Sequence, residues 1–308
     1  MRRSRNDATG ELKKMMKATE KPSGHGLSLW LQDIIKNFCL ESSENSLKNE
    51  TNERAWDEPL VGFSSGSDPL YLQLKEDIGS FFWTPIEVFE KSFPQTAASS
   101  SDLTVITWIL PQTRATKTDN RKETTFPSER WLRSRLFGEA FNAKLRKYVV
   151  DTLLDAGFES VAPIDSPFWS METSPHYGFA SNWSERHAAY AAGLGTFGLC
   201  DGLITPVGKA IRCGSVVSRI PVQPSVRPYT DHHAYCLYFS HGKCGKCITR
   251  CPVGAISERG HDKVKCRDYL RNVTAEYGKN RFDIEAYACG LCQTRVPCES
   301  KIPLEKRI

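Results

Sequence analysis

The sequence predicts an α/β protein that carries a separate cysteine-rich module at its carboxyl end. Apolar segments with the periodicity of strands and helices alternate along the first 230 or so residues. Eight of the eleven cysteines then crowd between Cys236 and Cys298. A chain of 308 residues is long enough for a sizeable core and a smaller appended module. We therefore expect a tail at 1–26, an α/β domain at 27–230 and a cysteine-rich domain at 231–308.

The first elements follow from the apolar pattern. The segment LSLWLQDIIKNFCL is predicted to form an amphipathic helix, because one face of it would carry Trp30, Leu31, Ile34, Ile35 and Phe38. The segment LTVITWIL predicts a buried strand that Pro111 ends. Residues 1–26 are basic and unpatterned, which is typical of a solvated tail.

The middle of the chain continues the alternation. We interpret QTRATKTDNRKETTFPS as a solvated polar loop, with a phosphate site at Arg114, Lys117, Arg121 and Lys122 as the alternative. Ser128 is then expected to cap a long helix that begins at Glu129, stops at Gly157 and turns one set of side chains inward: Trp131, Leu136, Ala140, Leu145, Val149 and Leu153.

Three further elements complete the predicted α/β domain. VAPI is expected to form a short strand and IRCGSVVSRI a longer one, and Ser184 is expected to cap the helix ERHAAYAA, which Gly193 ends. The segment PVQPSVRPYTDHH contains three prolines and indicates a linker near residue 230.

The bulk composition excludes several classes of protein. A net charge of +5 is too weak to indicate a nucleic-acid binder without a clustered basic patch. The chain has no apolar run that could cross a membrane and no secretory signal, so we expect a cytoplasmic protein. In a reducing compartment, cysteines at this density indicate metal binding or redox chemistry.

The first cysteine motif has the spacing of a cluster-binding loop. Cys244-x2-Cys247-x3-Cys251 is followed by Pro252, which gives three quarters of the bacterial ferredoxin run C-x2-C-x2-C-x3-C-P. Gly245 allows the backbone to approach a cluster closely. The cysteine before the proline ligates the other cluster in two-cluster ferredoxins, so the motif predicts a second set of ligands.

That second set is present in YACGLCQTRVPCES and in VKCRDYL, and the cysteine count closes on two [4Fe–4S] clusters. We assign one cluster to Cys236, Cys244, Cys247 and Cys298, and the other to Cys251, Cys266, Cys289 and Cys292. His241 stands where the ferredoxin spacing expects the first cysteine and is the rival of Cys236. Structural zinc is an alternative for the two C-x2-C pairs, although their separation of about 40 residues exceeds the usual zinc spacing.

The order of these motifs resembles the epoxyqueuosine reductase family and its relatives, the reductive dehalogenases. The resemblance runs from about Val61 to the end and includes the signature E-R-x-x-A-x-x-A-G-L-G, given by Glu185, Arg186, Ala189, Ala192, Gly193, Leu194 and Gly195. It implies a nitroreductase-like α+β domain that binds cobalamin, followed by a two-cluster ferredoxin-like module that supplies electrons. Flavin is the alternative organic cofactor.

The glycine-rich turn GLGTFG is a candidate cofactor contact at Gly193, Gly195 and Gly198, because glycines allow positive φ and close approach of a flat ring. The chain also departs from the family. Phe179 occupies the position of the family's proton-donor aspartate, and the C-terminal helical repeats of some tRNA-modifying members are absent.

The second cysteine motif, CGLCQTRVPC, also departs from the family. Five residues separate Cys292 from Cys298, where the family has three. We nominate no catalytic residue. Substitute proton donors on the chain would be Asp165, Glu172, His176, Tyr177 and His187.

The sequence thus predicts an iron–sulfur reductase that passes single electrons to a cofactor or substrate on the α/β domain. Its expected partners are an electron donor such as ferredoxin or flavodoxin and a small-molecule substrate, and tRNA is less favoured. The alternative is an electron carrier or partner subunit without a substrate of its own, which the missing aspartate favours.

Overall fold

A computed structural model describes residues 26–303, so most of the predicted tail lies outside the described residues. The first part of the chain forms one sheet with helices packed against it. Its elements, in chain order, are α1 (Leu27–Glu41), β1 (Leu60–Ser65), α2 (Leu70–Ile78), α3 (Pro85–Ser92), β2 (Thr104–Pro111), α4 (Arg114–Lys122), α5 (Glu129–Arg133), α6 (Glu139–Asp155), β3 (Ser160–Val161), β4 (Met171–Ser174), β5 (Gly178–Ser181), α7 (Glu185–Ala191), β6 (Thr196–Phe197), β7 (Leu203–Ile204) and β8 (Ile211–Ser218).

The central sheet has four strands in the order β1-β2-β8-β3, and every pairing is antiparallel. All eight residues of β2 are buried, since β2 is an inner strand whose two faces are both covered. One face packs against α1 and α6 through residues such as Phe38, Trp108 and Leu145, and the other packs against α3 and α7. The predicted mixed α/β architecture is confirmed.

Several elements form where their local pattern predicts them. The helix α1 buries all five apolar residues of its predicted face, and the predicted strands appear as β2 and β8. The VAPI strand is shorter than expected: β3 ends at Val161, and a 3-10 turn over Pro163–Asp165 follows. The helix α7 is present, but the Ser184 side chain does not cap it and pairs instead with the His187 ring.

The prediction of a loop after Pro111 is wrong, because this segment forms the helix α4. Thr113 caps it by accepting a hydrogen bond from the Thr116 backbone N–H at 3.3 Å. Thr116 and Asn120, one helical turn apart, are both buried although they are polar. Asn120 there accepts from the Ser128 backbone and donates toward the C-terminal region, so tertiary hydrogen bonds stabilise a helix without an apolar face.

The long helix from Glu129 is also more complex than predicted. Ser128 does cap it, by accepting from the Trp131 N–H at 3.3 Å. A π-helical turn at Ser134–Gly138 then separates α5 from α6. Because a π turn inserts one extra residue, it rotates the helix face that follows by about 100°. Leu136 and Ala140 are consequently exposed, which corrects their predicted inward position, whereas Leu145, Val149 and Leu153 are buried as expected.

The C-terminal region contains short elements joined by loops. They are α8 (Leu237–His241), α9 (Lys246–Arg250), β9 (Ile256–Ser257), β10 (Gly260–His261), α10 (Lys263–Asp268), a π turn (Tyr269–Thr274), α11 (Ala275–Phe282) and a 3-10 turn (Leu291–Gln293). Contacts such as the stacked rings of Phe126 and Tyr277, 4.1 Å apart, pack this region onto the first. Across residues 26–303, each helix is too short or too polar to span a bilayer.

Candidate cluster sites

Four cysteines that are distant in sequence line one cavity. Cys236 begins α8, Cys244 and Cys247 flank the start of α9, and Cys298 lies near the end of the chain. Cys236, Cys247 and Cys298 are buried, and Cys244 is exposed. Apolar neighbours such as Leu199 and Ile204 complete the wall of the cavity. The cavity therefore gathers the four cysteines that the sequence assigns to the first cluster.

Local backbone geometry explains how the first motif separates its cysteines. Gly245 has a φ of +122°, which a side chain would disfavour, and it starts the single-turn helix α9. Cys247 lies on this helix, whereas Cys251 ends it in an extended conformation. The Cys251 sulfur accepts a hydrogen bond from the Ala255 N–H at 3.1 Å. Cys251 also packs against the cluster of buried residues that contains Cys247.

The second group contains Cys251, Cys266 and Cys289. Burial, together with the nearby Cys266 and Cys251 sulfurs, raises the pKa of Cys289 to about 12. Arg250 ties this group to the rest of the region, because its guanidinium donates to the carbonyls of Leu291 and Thr294 at 3.2 Å. Cys292 neighbours Cys289 but also reaches toward the first group. Cys266 and Cys251 therefore lie near Cys289, and Cys292 lies between Cys289 and Cys200.

Two residues that the sequence did not single out occupy the junction between these groups. The Cys200 sulfur is within hydrogen-bonding reach of the Cys247 and Cys292 thiols, one from each predicted ligand set. Lys209 Nζ donates to the Cys200 sulfur at 3.1 Å. No short spacing links Cys200 to the cysteine motifs, so only the folded chain could reveal it. The GLGTFG turn just before Cys200 does not indicate that this cysteine lies near the other sulfurs.

The charge of Lys209 is stabilised by sulfur. Burial disfavours the ammonium, but the sulfurs of Cys200, Cys298, Cys292 and Cys247 outweigh that penalty and raise the pKa of Lys209. The pKa of Cys200 is lowered by hydrogen bonds from the Cys247 and Cys292 thiols and by the Lys209 charge. A cationic side chain thus lies among thiols that would be anionic as metal ligands.

The structure separates the two rival first ligands. Cys236 lines the cavity. His241 is exposed, and its Nδ1 pairs with the Ser240 hydroxyl at 2.7 Å. Among residues 26–303, no three His, Cys, Asp or Glu side chains are grouped as ligands of a single metal ion. The donor set of four thiols around a cavity with apolar walls fits a cubane cluster, whose four irons each take one cysteine.

Two of the three candidate glycines, Gly193 and Gly195, are packed against neighbouring backbone. A Cβ at Gly193 would lie 2.4 Å from the Val226 carbonyl oxygen, and one at Gly195 would lie 2.4 Å from the Ile204 carbonyl oxygen. Gly198 lines the cysteine cavity. The close approach that Gly193 and Gly195 permit is therefore to neighbouring backbone.

The substitute proton donors are dispersed and already paired. Asp165 accepts from Arg146 at 2.7 Å, Glu172 accepts from Ser170, and His176 pairs with the Asp77 carbonyl. The Tyr177 hydroxyl donates to the Asp77 carboxylate at 2.7 Å, and burial together with this bond raises the pKa of Tyr177 to about 12.

The aromatic side chains of His187 and Phe179 are packed against neighbouring groups. His187 is held between Phe82 and Phe197, and burial lowers its pKa to about 3. Phe179 lies on β5, and the Arg267 guanidinium lies over its ring. None of the candidate donors faces the cysteine cavity.

The described chain is thus a mixed α/β protein with cysteines gathered in its C-terminal region. No protein-family model matches it. It is 31% identical over 119 residues to the epoxyqueuosine reductases of Bacillus anthracis and Bacillus cereus, a match that covers 37% of this chain and 29% of either relative. The resemblance to the epoxyqueuosine reductases is therefore confirmed, over a stretch that spans less than a third of those relatives.

Solved structures of low sequence identity are also similar. An epoxyqueuosine reductase with a modified tRNA-Tyr stem loop is 18% identical with a TM-score of 0.48, over 91% of this chain and 67% of that one. A catabolic reductive dehalogenase in complex with 3-bromo-4-hydroxybenzoic acid is 14% identical with a TM-score of 0.48, over 92% of this chain and 38% of that one.

Proposed function

We propose that this chain is an iron–sulfur oxidoreductase that holds two [4Fe–4S] clusters and passes single electrons to a cofactor or substrate on its α/β part. The observation that carries the proposal is the cavity lined by Cys236, Cys244, Cys247 and Cys298. A separate group around Cys251 and Cys289 supports a second cluster. The two groups are adjacent, since Cys200 is in reach of a thiol from each.

The residues of the chain would perform three tasks. The eight cysteines from Cys236 to Cys298 would bind iron as thiolates. The Ala255 N–H donates to the Cys251 sulfur, and such bonds to sulfur help to set a cluster's potential. Apolar neighbours such as Leu199 and Ile204 would limit the access of water. When bound, the clusters supply one-electron transfer.

The electron donor would be a protein such as ferredoxin or flavodoxin. The resemblance implies cobalamin as the acceptor, with flavin as the alternative, and a small molecule is a more favoured substrate than tRNA. Gly193 and Gly195 lie against the chain's own backbone, so these two residues offer no open surface to a corrinoid ring. That packing favours the second candidate function, an electron carrier or partner subunit without a substrate of its own.

The first test is the metal content of protein purified without oxygen. We expect iron and acid-labile sulfide, and we expect Cys247→Ala and Cys289→Ala each to remove about half of the iron, because each variant would lose one cluster. Cys39→Ala is the matched control, since Cys39 is a buried thiol in the core beside α6 and should leave the iron unchanged. Colourless protein, zinc in place of iron, or full iron in both variants would refute the proposal.

Two further measurements refine it. Cys236→Ala should lose iron while His241→Ala keeps it, because only Cys236 lines the cavity. The reverse result would identify His241 as the ligand. Extraction of the oxygen-free protein followed by absorption spectroscopy then distinguishes the two functions. A bound corrinoid or flavin supports the reductase, and clusters alone support the carrier.

A further inference from the structure

The side chain of Lys209 lies among sulfurs. It lines the cavity of the first cysteine group, and its Nζ donates to Cys200. The side chain is 3% exposed. Besides Cys200, the sulfurs that act on its charge belong to Cys298, Cys292 and Cys247.

The backbone holds Lys209 in this place. Its N–H donates to the Cys298 carbonyl at 2.8 Å, so the residue is bonded to the turn that carries a predicted ligand. The preceding Gly208 has a φ of +90°, and a Cβ there would lie 2.2 Å from the Glu299 carbonyl oxygen. At Gly202, a Cβ would lie 2.8 Å from the Lys209 side chain. Glycines on both sides of the lysine thus permit its close packing against the cysteine loops.

We propose that Lys209 sets the reduction potential of the cluster held by Cys236, Cys244, Cys247 and Cys298, and that Cys200 positions its ammonium. The inference rests on the proposed function. Reduction adds one electron and so one negative charge to the cluster, and a buried positive charge nearby stabilises that form. Water screens a buried charge poorly, so the effect of Lys209 exceeds that of an exposed lysine at a similar position along the chain. Lys209 therefore raises the potential.

The test is a redox titration of oxygen-free protein in which electron paramagnetic resonance and visible absorption measure the fraction of reduced cluster. Lys209→Met removes the charge and keeps an unbranched apolar side chain. We expect full iron and sulfide. We also expect the midpoint potential of one cluster to fall, so that the ratio of reduced to oxidised cluster drops at least tenfold at a fixed potential. For a one-electron couple this is 59 mV.

Lys246→Met is the matched control. Lys246 lies between Cys244 and Cys247 in sequence, but its side chain is exposed, so its removal should change the ratio much less than tenfold. Lys209→Arg, which keeps the charge, should stay closer to the unmodified protein than Lys209→Met. Equal midpoints for Lys209→Met and the unmodified protein, both with full iron, would overturn the inference.

Cys200→Ala keeps the test decisive if Lys209→Met does not fold. It removes the sulfur that holds Nζ, and we expect full iron with a smaller fall of the same midpoint. Loss of iron from Cys200→Ala would make Cys200 a ligand and overturn its positioning role, and an unchanged midpoint would overturn the inference. Iron-free unmodified protein would instead refute the proposed function, so the two failures are distinguishable.

Discussion

Gly290, between Cys289 and Cys292, offers a sharp test of how the cysteine loops depend on the α/β part. Its φ is +68°, and a Cβ there would lie 1.9 Å from Trp131 Cε2. Trp131 belongs to α5 and is 6% exposed within a core cluster that includes Ala288. Gly290→Ala therefore combines a strained backbone with a collision against a buried ring that has little room to move.

The expected cost has two parts. A left-handed conformation costs a non-glycine residue about 1–2 kcal/mol. Overpacking of a filled core costs about 1–3 kcal/mol more. Gly242→Ala is the matched control, because Gly242 has a φ of +64° in the loop before Cys244 and a Cβ there would meet no atom within 4 Å. Gly242→Ala should therefore lose only the stability that the left-handed conformation costs.

Thermal unfolding by circular dichroism, with iron content measured on the same samples, makes the comparison. We expect the Tm of Gly290→Ala to lie below that of Gly242→Ala by about 2–4 °C for each kcal/mol of difference. Iron should also be lower, because the collision falls between two predicted ligands of the second cluster. Equal Tm and equal iron in the two variants would show that the Gly290 loop does not need its contact with Trp131.

Two predictions concern buried polar groups away from the proposed ligand sulfurs. The pKa of His187 is about 3 in the folded state against an ordinary value of 6.5, because burial disfavours its charged form and Arg186 and Lys263 add to the effect. Its contribution to stability is complete above pH 6.5 and is lost as the pH falls toward 3, so the chain should lose about 1–2 kcal/mol between pH 7 and pH 5 that His187→Gln does not lose. Asn120→Ala removes the acceptor of the Ser128 N–H and the donor to the Cys289 carbonyl, and should cost about 1–3 kcal/mol in urea unfolding.

Each of these has its own control. Parallel pH profiles for the unmodified protein and His187→Gln would contradict the burial argument, since the other titrating groups are common to both. Thr118→Ala changes an exposed position on α4, two residues from Asn120, and should leave the urea midpoint almost unchanged. A similar loss in both α4 variants would contradict the Asn120 argument, because alanine has a higher helix propensity than asparagine or threonine and does not itself destabilise a helix.

Elements with a continuous apolar signal could be predicted, and elements held by polar tertiary contacts could not. The helix α1 and the strands β2 and β8 form where their patterns predict them because burial of their own apolar residues stabilises them. The helix α4 has no such pattern, and its inward residues are Thr116 and Asn120. Asn120 finds its partners at Cys289 and Thr294, which are more than 160 residues away.

The sequence by itself predicted two cysteine sets, because ligands two or three residues apart on a glycine-containing loop carry their chemistry in their spacing. Only the tertiary structure decided that Cys236 and not His241 faces the cavity, since that depends on where α8 begins. It also placed Cys200 and Lys209 at the junction of the two groups. Cys200 lies in the β6–β7 turn and Lys209 in the connection from β7 to β8, and both positions follow from how these segments pack on the C-terminal loops. Contacts between distant segments leave no pattern in local spacing.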